Sequence, residues 1–183
     1  MKYKYFNVLL VLFIASNSIA SVKDYFSGNY KKIYLKAEQN LENENFDDAL
    51  LFFLTLDSLE KDNFNVKYKV GLCYLNSSQN KTKSIPYFIE ASKNISEGYK
   101  KNDINEKHAP QITFKYLAEA YQLNYEFDKA IMMYLRYKET LGKIRKMTVE
   151  VEDVMHRIES CTNGIDLYKT PKKVKVLNLG TNV

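Results

Sequence analysis

Small and apolar residues recur along most of this chain at steps of three and four, the spacing of one face of an α-helix. Three stretches share one arrangement of them. Around Ala37 the chain reads AEQNLENENFDDALLFFLTL, around Gly71 GLCYLNSSQNKTKSIPYFIEA, and around Ala118 AEAYQLNYEFDKAIMMYLRY. Each carries a small residue in a first apolar run, a polar break, a second small residue, and an aromatic four positions later. These are Ala37, Ala49 and Phe53, then Gly71, Ser84 and Phe88, then Ala118, Ala130 and Tyr134. The pattern predicts three antiparallel helical hairpins. Two helices approach closely only where both present small side chains, and an aromatic fills the space beside them. Phe46 and Phe127, three residues before Ala49 and Ala130, are placed to fold back under the turns. Asp47, Asp48 and Asp128 fall in first helical turns, where acids complement the macrodipole. Thr82 is the expected N-cap of the second hairpin's second helix, and Pro86 is tolerated in its first turn.

Beyond Gly142, Val151, Val154, Met155, Ile158, Cys161 and Ile165 form one apolar stripe. It predicts an amphipathic helix over 147–168, ended by Pro171, that covers the open face of the last hairpin. From Pro171 the chain reads PKKVKVLNLGTNV, whose alternation predicts a short strand.

The hairpin pattern resembles the tetratricopeptide repeat, a helix–turn–helix unit of about 34 residues. Units fall at about 30–62, 64–95 and 111–142. Between the second and third, the polar stretch SEGYKKNDINEKHAP is an insertion that either lengthens the flanking helices or forms a loop. Ile33, Lys67 and Phe114 stand where the family has its early aromatic, and the family's closing proline is absent. The resemblance implies an all-α helical-hairpin solenoid with a C-terminal capping helix and a short terminal strand. It also implies that the first helix of each pair lines a concave groove that binds a protein or peptide. Carried onto this sequence, the groove residues are Tyr34, Glu38 and Leu41, then Tyr68, Leu72, Leu75 and Asn76, then Lys115, Glu119 and Gln122. Tyr34, Tyr68 and Lys115 occupy equivalent places and would form a row. Exposed tyrosines anchor peptides well; the other reading is that they pack between helices.

Composition agrees with a globular helical chain. Hydrophobic residues are 45% and charged residues 27%, which separates it from disordered sequences, and six Gly and three Pro suit long elements. The net charge of +5 comes from lysines interspersed with acids, so no basic stripe marks a nucleic-acid partner.

Residues 1–20 combine Lys2 and Lys4, the apolar run VLLVLFIA and a small-residue end at Ser18-Ile19-Ala20. This is the layout of a secretory signal peptide, and the run is too short for a membrane span of about 20 residues. It sets the repeat domain at 21–168, the tail at 169–183, and an expectation of export to the periplasm with no transmembrane segment in the mature chain. Cys73 and Cys161 then either pair as a disulfide or remain two thiols in apolar packing; the sequence leaves both open.

Catalytic chemistry finds no foothold. His108 and His156 are far apart and lack metal-ligand spacing, and no metalloprotease, phosphate-loop or nucleophile-elbow motif occurs. Glu42, Glu44, Asp47 and Asp48 gather at a turn, where helix capping explains them. No enzyme, cofactor or metal site is expected.

The order of leader, repeats and strand, with Cys161 and Pro171 at the junction, resembles the N-terminal region of OmpA-family envelope proteins of Bacteroidetes, including the component tied to type IX secretion and gliding. Those proteins continue into a β-propeller and a peptidoglycan-binding domain. The resemblance implies an outer-membrane-associated periplasmic scaffold, with the tail as first strand of a following propeller and peptidoglycan contacted only through domains beyond this chain. The alternative is a glycan-binding protein of an outer-membrane nutrient-uptake system.

Overall fold

The computed structural model describes residues 29–78, 80–142 and 148–171. The expected signal peptide and terminal strand lie outside them. Three helical hairpins and a final helix follow one another: α1 (Tyr30–Glu42) with α2 (Phe46–Leu59), α3 (Phe64–Asn76) with α4 (Ser84–Ala91), α5 (Thr113–Leu123) with α6 (Phe127–Leu141), then α7 (Thr148–Lys169). Each helix packs on the next in sequence, and α3 also meets α5. This is the all-α helical-repeat architecture.

The first and third hairpins turn in the same way. Glu44 and Tyr125 take left-handed backbone conformations, φ 59° and 61°. Asn45 N–H reaches back to Asn40 O at 2.9 Å and Glu44 N–H to Leu41 O at 3.1 Å; Glu126 reaches Tyr121 O at 2.9 Å and Tyr125 reaches Gln122 O at 3.1 Å. These paired bonds satisfy the last helical carbonyls and reverse the chain within three residues. The second hairpin departs from the sequence reading. Thr82 makes no cap; it lies exposed in a 3₁₀ turn, Lys81–Lys83, and α4 starts at Ser84, whose Oγ donates to Lys81 O at 2.6 Å. Between α2 and α3, Asn63 caps α3 by accepting from Val66 N–H at 3.0 Å.

The nine pattern residues are all buried. Tyr34, Ala37, Ala49, Phe53, Leu56, Val66, Val70 and Cys73 form one apolar cluster among α1, α2 and α3. A second joins Leu75 and Phe88 to α5, α6 and α7, through Leu117, Tyr134, Val154 and Cys161. Of the two readings open for the cysteines, the structure has the separate thiols and no disulfide. Cys73 belongs to the first cluster and Cys161 to the second, both are buried free thiols, and burial pushes the Cys73 thiol up to about 12. Apolar packing suffices to account for both.

Gly71 lies where α3 meets α4. A Cβ there would stand 2.7 Å from the Phe88 ring, which is fully buried and cannot withdraw. Gly71→Ala gains about 1 kcal/mol of helix propensity against about 1–3 kcal/mol of overpacking. A net loss of about 1–2 kcal/mol is expected in urea unfolding, and a midpoint at or above wild type would show that the two helices are not closely apposed. Gly164 repeats the device, its Cβ position 2.8 Å from the Phe127 ring, so Phe127 packs under its turn against α7.

The insertion forms a loop with little regular structure. Ile95–Ser96 pairs in parallel with Ala109–Pro110, and the segment between folds back over the start of α3. Fully buried Asn65 pins it: its N–H donates to Lys107 O at 3.1 Å, its Nδ2 to Glu106 O at 3.2 Å, and its Oδ1 accepts from Tyr99 at 2.9 Å.

Candidate partner-binding groove

Between α1, α3 and the insertion lies a cavity of about 310 Å³. Glu38 and Leu41 of α1 form one side, and Tyr68, Lys69 and Leu72 of α3 the floor; Tyr99, Lys101, Pro110 and Ile112 close the far side. Their placement follows from helical spacing: Glu38 and Leu41 are three apart, Tyr68 and Leu72 four, so each pair shares a face. The cavity therefore opens between the first helices of the first two hairpins.

Lys69 is the buried charge of this site. Its side chain is 2% exposed. Its ammonium pairs with Glu38, donates to Tyr34 Oη at 3.0 Å, and stands 5.0 Å and 5.7 Å from the Tyr34 and Phe53 ring centroids. Burial pulls its pKa below the ordinary lysine range, partly offset by Glu38. Such a charge is tolerated only with this partner set. Burial also raises the phenols of Tyr34, Tyr68 and Tyr99 above the usual tyrosine range, so all three stay protonated at neutral pH.

The Tyr68 ring sits among aromatics, 6.3 Å from Phe88, 6.2 Å from Tyr116 and edge-on to Tyr99 at 6.4 Å. These contacts hold the ring, but its hydroxyl has no hydrogen-bond partner among the described residues. Tyr99 is held by Asn65, and Lys107 of the insertion pairs with Glu60 at 3.3 Å. The insertion is therefore a fixed wall of the cavity.

The third hairpin's first helix contributes nothing to this cavity. Lys115 lies 2.9 Å from Glu150 and 3.1 Å from Asp153; Glu119 lies 3.1 Å from Arg157; Gln122 Nε2 donates to Ser160 Oγ at 3.5 Å and its Oε1 accepts from Tyr134 at 2.9 Å. All three face α7 in a polar ladder. Burial raises the Glu119 carboxyl above the usual range despite Arg157 and Lys115. Burial also acts to lower the Lys115 ammonium, but hydrogen bonds to Glu150 and Asp153 outweigh it and raise it overall.

Of the ten residues placed in the groove by sequence, Glu38, Leu41, Tyr68 and Leu72 come together at the cavity. Tyr34 is 2% exposed in the α1–α3 core, so the expected row of exposed anchors does not form. Leu75 is buried in the second cluster, and Asn76 is exposed, its Nδ2 bonded to Leu72 O at 2.9 Å. Sequence reasoning missed Lys69, Tyr99, Lys101, Pro110 and Ile112. Lys69 had a signal, a lysine inside the apolar run FNVKYKVGLCYL; the insertion residues follow no periodicity. His108 and His156 are exposed, each beside a glutamate, and the described residues contain no cluster of metal-ligating side chains. No helix among them is long and apolar enough to cross a membrane.

No protein-family model matches the chain, and no curated protein matches it. Among solved structures it is similar to PcrH in complex with the chaperone-binding region of PopD. The TM-score is 0.57 at 14% identity, over 75% of this chain and 93% of that one. At that identity the likeness speaks for the fold, and the fold shared is a tetratricopeptide-like stack of helical hairpins.

Proposed function

We propose that this chain is a non-catalytic scaffold that binds a segment of a partner protein in the cavity between α1, α3 and the insertion. The observation that carries the reading is a preformed apolar cavity with half-buried Leu41, Tyr68 and Leu72 on the groove side, walled by a segment tied down through buried hydrogen bonds. Its volume lies at the lower end of the range for ligand sites, about 300–1,000 Å³. The structurally similar PcrH was itself solved with a segment of PopD. Selection of a displayed library of random nonapeptides on the immobilised chain tests it. Retention is expected on wild type and a loss of about tenfold on Leu72→Glu, which places a charge on the cavity floor. Equal retention on both proteins, or none on either, would overturn the reading.

The wider setting we propose is the periplasm, at the outer membrane, within an envelope or secretion assembly of the OmpA-family kind. The leader-like residues 1–20 and the order of segments support it. Fusion of residues 1–28 to alkaline phosphatase, which is active only after export, is expected to give enzyme activity. An inactive fusion retained in the cytoplasm would exclude this setting.

A further inference from the structure

The polar groups around the cavity do not carry equal demands. Glu38 is engaged by the Lys69 ammonium, which also donates to Tyr34, so this acid–base pair is satisfied internally. Two polar groups remain without a hydrogen bond or ion pair among the described residues: the Tyr68 hydroxyl, over the floor, and the Lys101 ammonium, on the exposed insertion wall. A hydroxyl and a cation both donate, and no unengaged carboxylate lines the cavity. With Lys69, Lys101 and Glu38 as its only charged residues, the lining carries a formal excess of one positive charge. The remaining surface, from Leu41, Leu72, Pro110 and Ile112, is apolar.

We infer that the segment taken by this cavity carries an apolar side chain next to an acidic residue, the apolar group seated between Leu41, Leu72 and Ile112 and the carboxylate accepting from Lys101 and Tyr68. The inference rests on the groove reading above and deepens it, since it states which peptides bind. Size and charge act together. The cavity, about 310 Å³ with Leu41, Leu72 and Ile112 in its lining, is of side-chain scale. The cation at the mouth favours an acid beside the anchor and disfavours a base. Because Asn65 holds the insertion by three hydrogen bonds from its backbone and side chain, the selecting cation sits on a fixed support and not on a closing lid.

The test sequences the nonapeptides retained by wild type and by Lys101→Glu, both as full-length chains with matching helical circular dichroism and melting temperature. Lys101 is exposed, so its substitution leaves the core untouched. Wild type is expected to enrich Asp or Glu beside an apolar residue about threefold or more, a modest factor suited to a charge at a solvent-exposed rim. Lys101→Glu is expected to reverse the preference toward Lys or Arg at the same place. Retained peptides with no acidic preference, or a preference unchanged by Lys101→Glu, would overturn this inference and leave the groove reading standing. Failure of wild type to retain any peptide would overturn both.

Discussion

Replacing Phe53 by alanine is expected to lower stability by about 3–5 kcal/mol, the range for removing a fully buried aromatic side chain. The ring is completely buried one turn after Ala49, and it packs in the cluster that joins α1, α2 and α3. Ala37 and Ala49 share that cluster with the ring, so its removal leaves a cavity among buried neighbours. Lys69 lies 5.7 Å from the ring centroid, so the substitution also strips one face of a buried ammonium of its aromatic contact. Urea unfolding followed by circular dichroism measures the effect as a lower midpoint at unchanged slope. A loss under about 1 kcal/mol would mean that the hairpins are not held apart by aromatic wedges, and the repeat register drawn through Phe53, Phe88 and Tyr134 would go with it.

The parts of the fold that were legible are those set by local spacing. Ala49 and Phe53, Ser84 and Phe88, and Ala130 and Tyr134 are each four residues apart, so one helical turn fixes their common face, and all six are buried. Nothing comparable specifies the insertion. Its anchors join residues far apart in sequence, Tyr99 and Glu106 to Asn65, and these are polar groups whose burial no periodicity announces. The tyrosine row failed for a related reason. Tyr34 and Tyr68 hold equivalent positions on α1 and α3, yet one is drawn into the core by Lys69 while the other faces the insertion. In the third unit the equivalent Lys115 is claimed by Glu150 and Asp153 of α7. Repeat position decides which side of a helix a residue occupies; its neighbours in the stack decide whether that side is open. The same limit applies to Cys73 and Cys161, which the stack places in different clusters.

Removal of the buried ammonium should show how far the first two hairpins depend on a single ion pair. Lys69→Met keeps most of the side-chain volume and the apolar stem, and leaves Glu38, whose side chain is 13% exposed, facing Tyr34 without its cation. Breaking a buried pair from one side costs about 3–5 kcal/mol, because the remaining charge loses its partner and cannot return to water. The double variant Glu38→Gln, Lys69→Met removes both charges and retains an amide within reach of Tyr34. It is expected to recover at least half of that loss in the same unfolding assay. The two substitutions would thus be strongly non-additive. The pH dependence carries an independent sign. Burial holds the folded-state pKa of Lys69 below the ordinary lysine value of 10.5, so between that lowered pKa and 10.5 the unfolded chain binds more protons than the folded one. Lys69 therefore contributes stability that rises with pH in this alkaline window. The tyrosines, raised by burial, contribute the opposite slope in both proteins, so the sign is read from the difference: wild type minus Lys69→Met should increase as pH approaches 10.5. A difference that is flat or falls there, or a double variant no more stable than the single one, would show that Lys69 is solvated and that the α1–α3 seam is held by its apolar contacts alone.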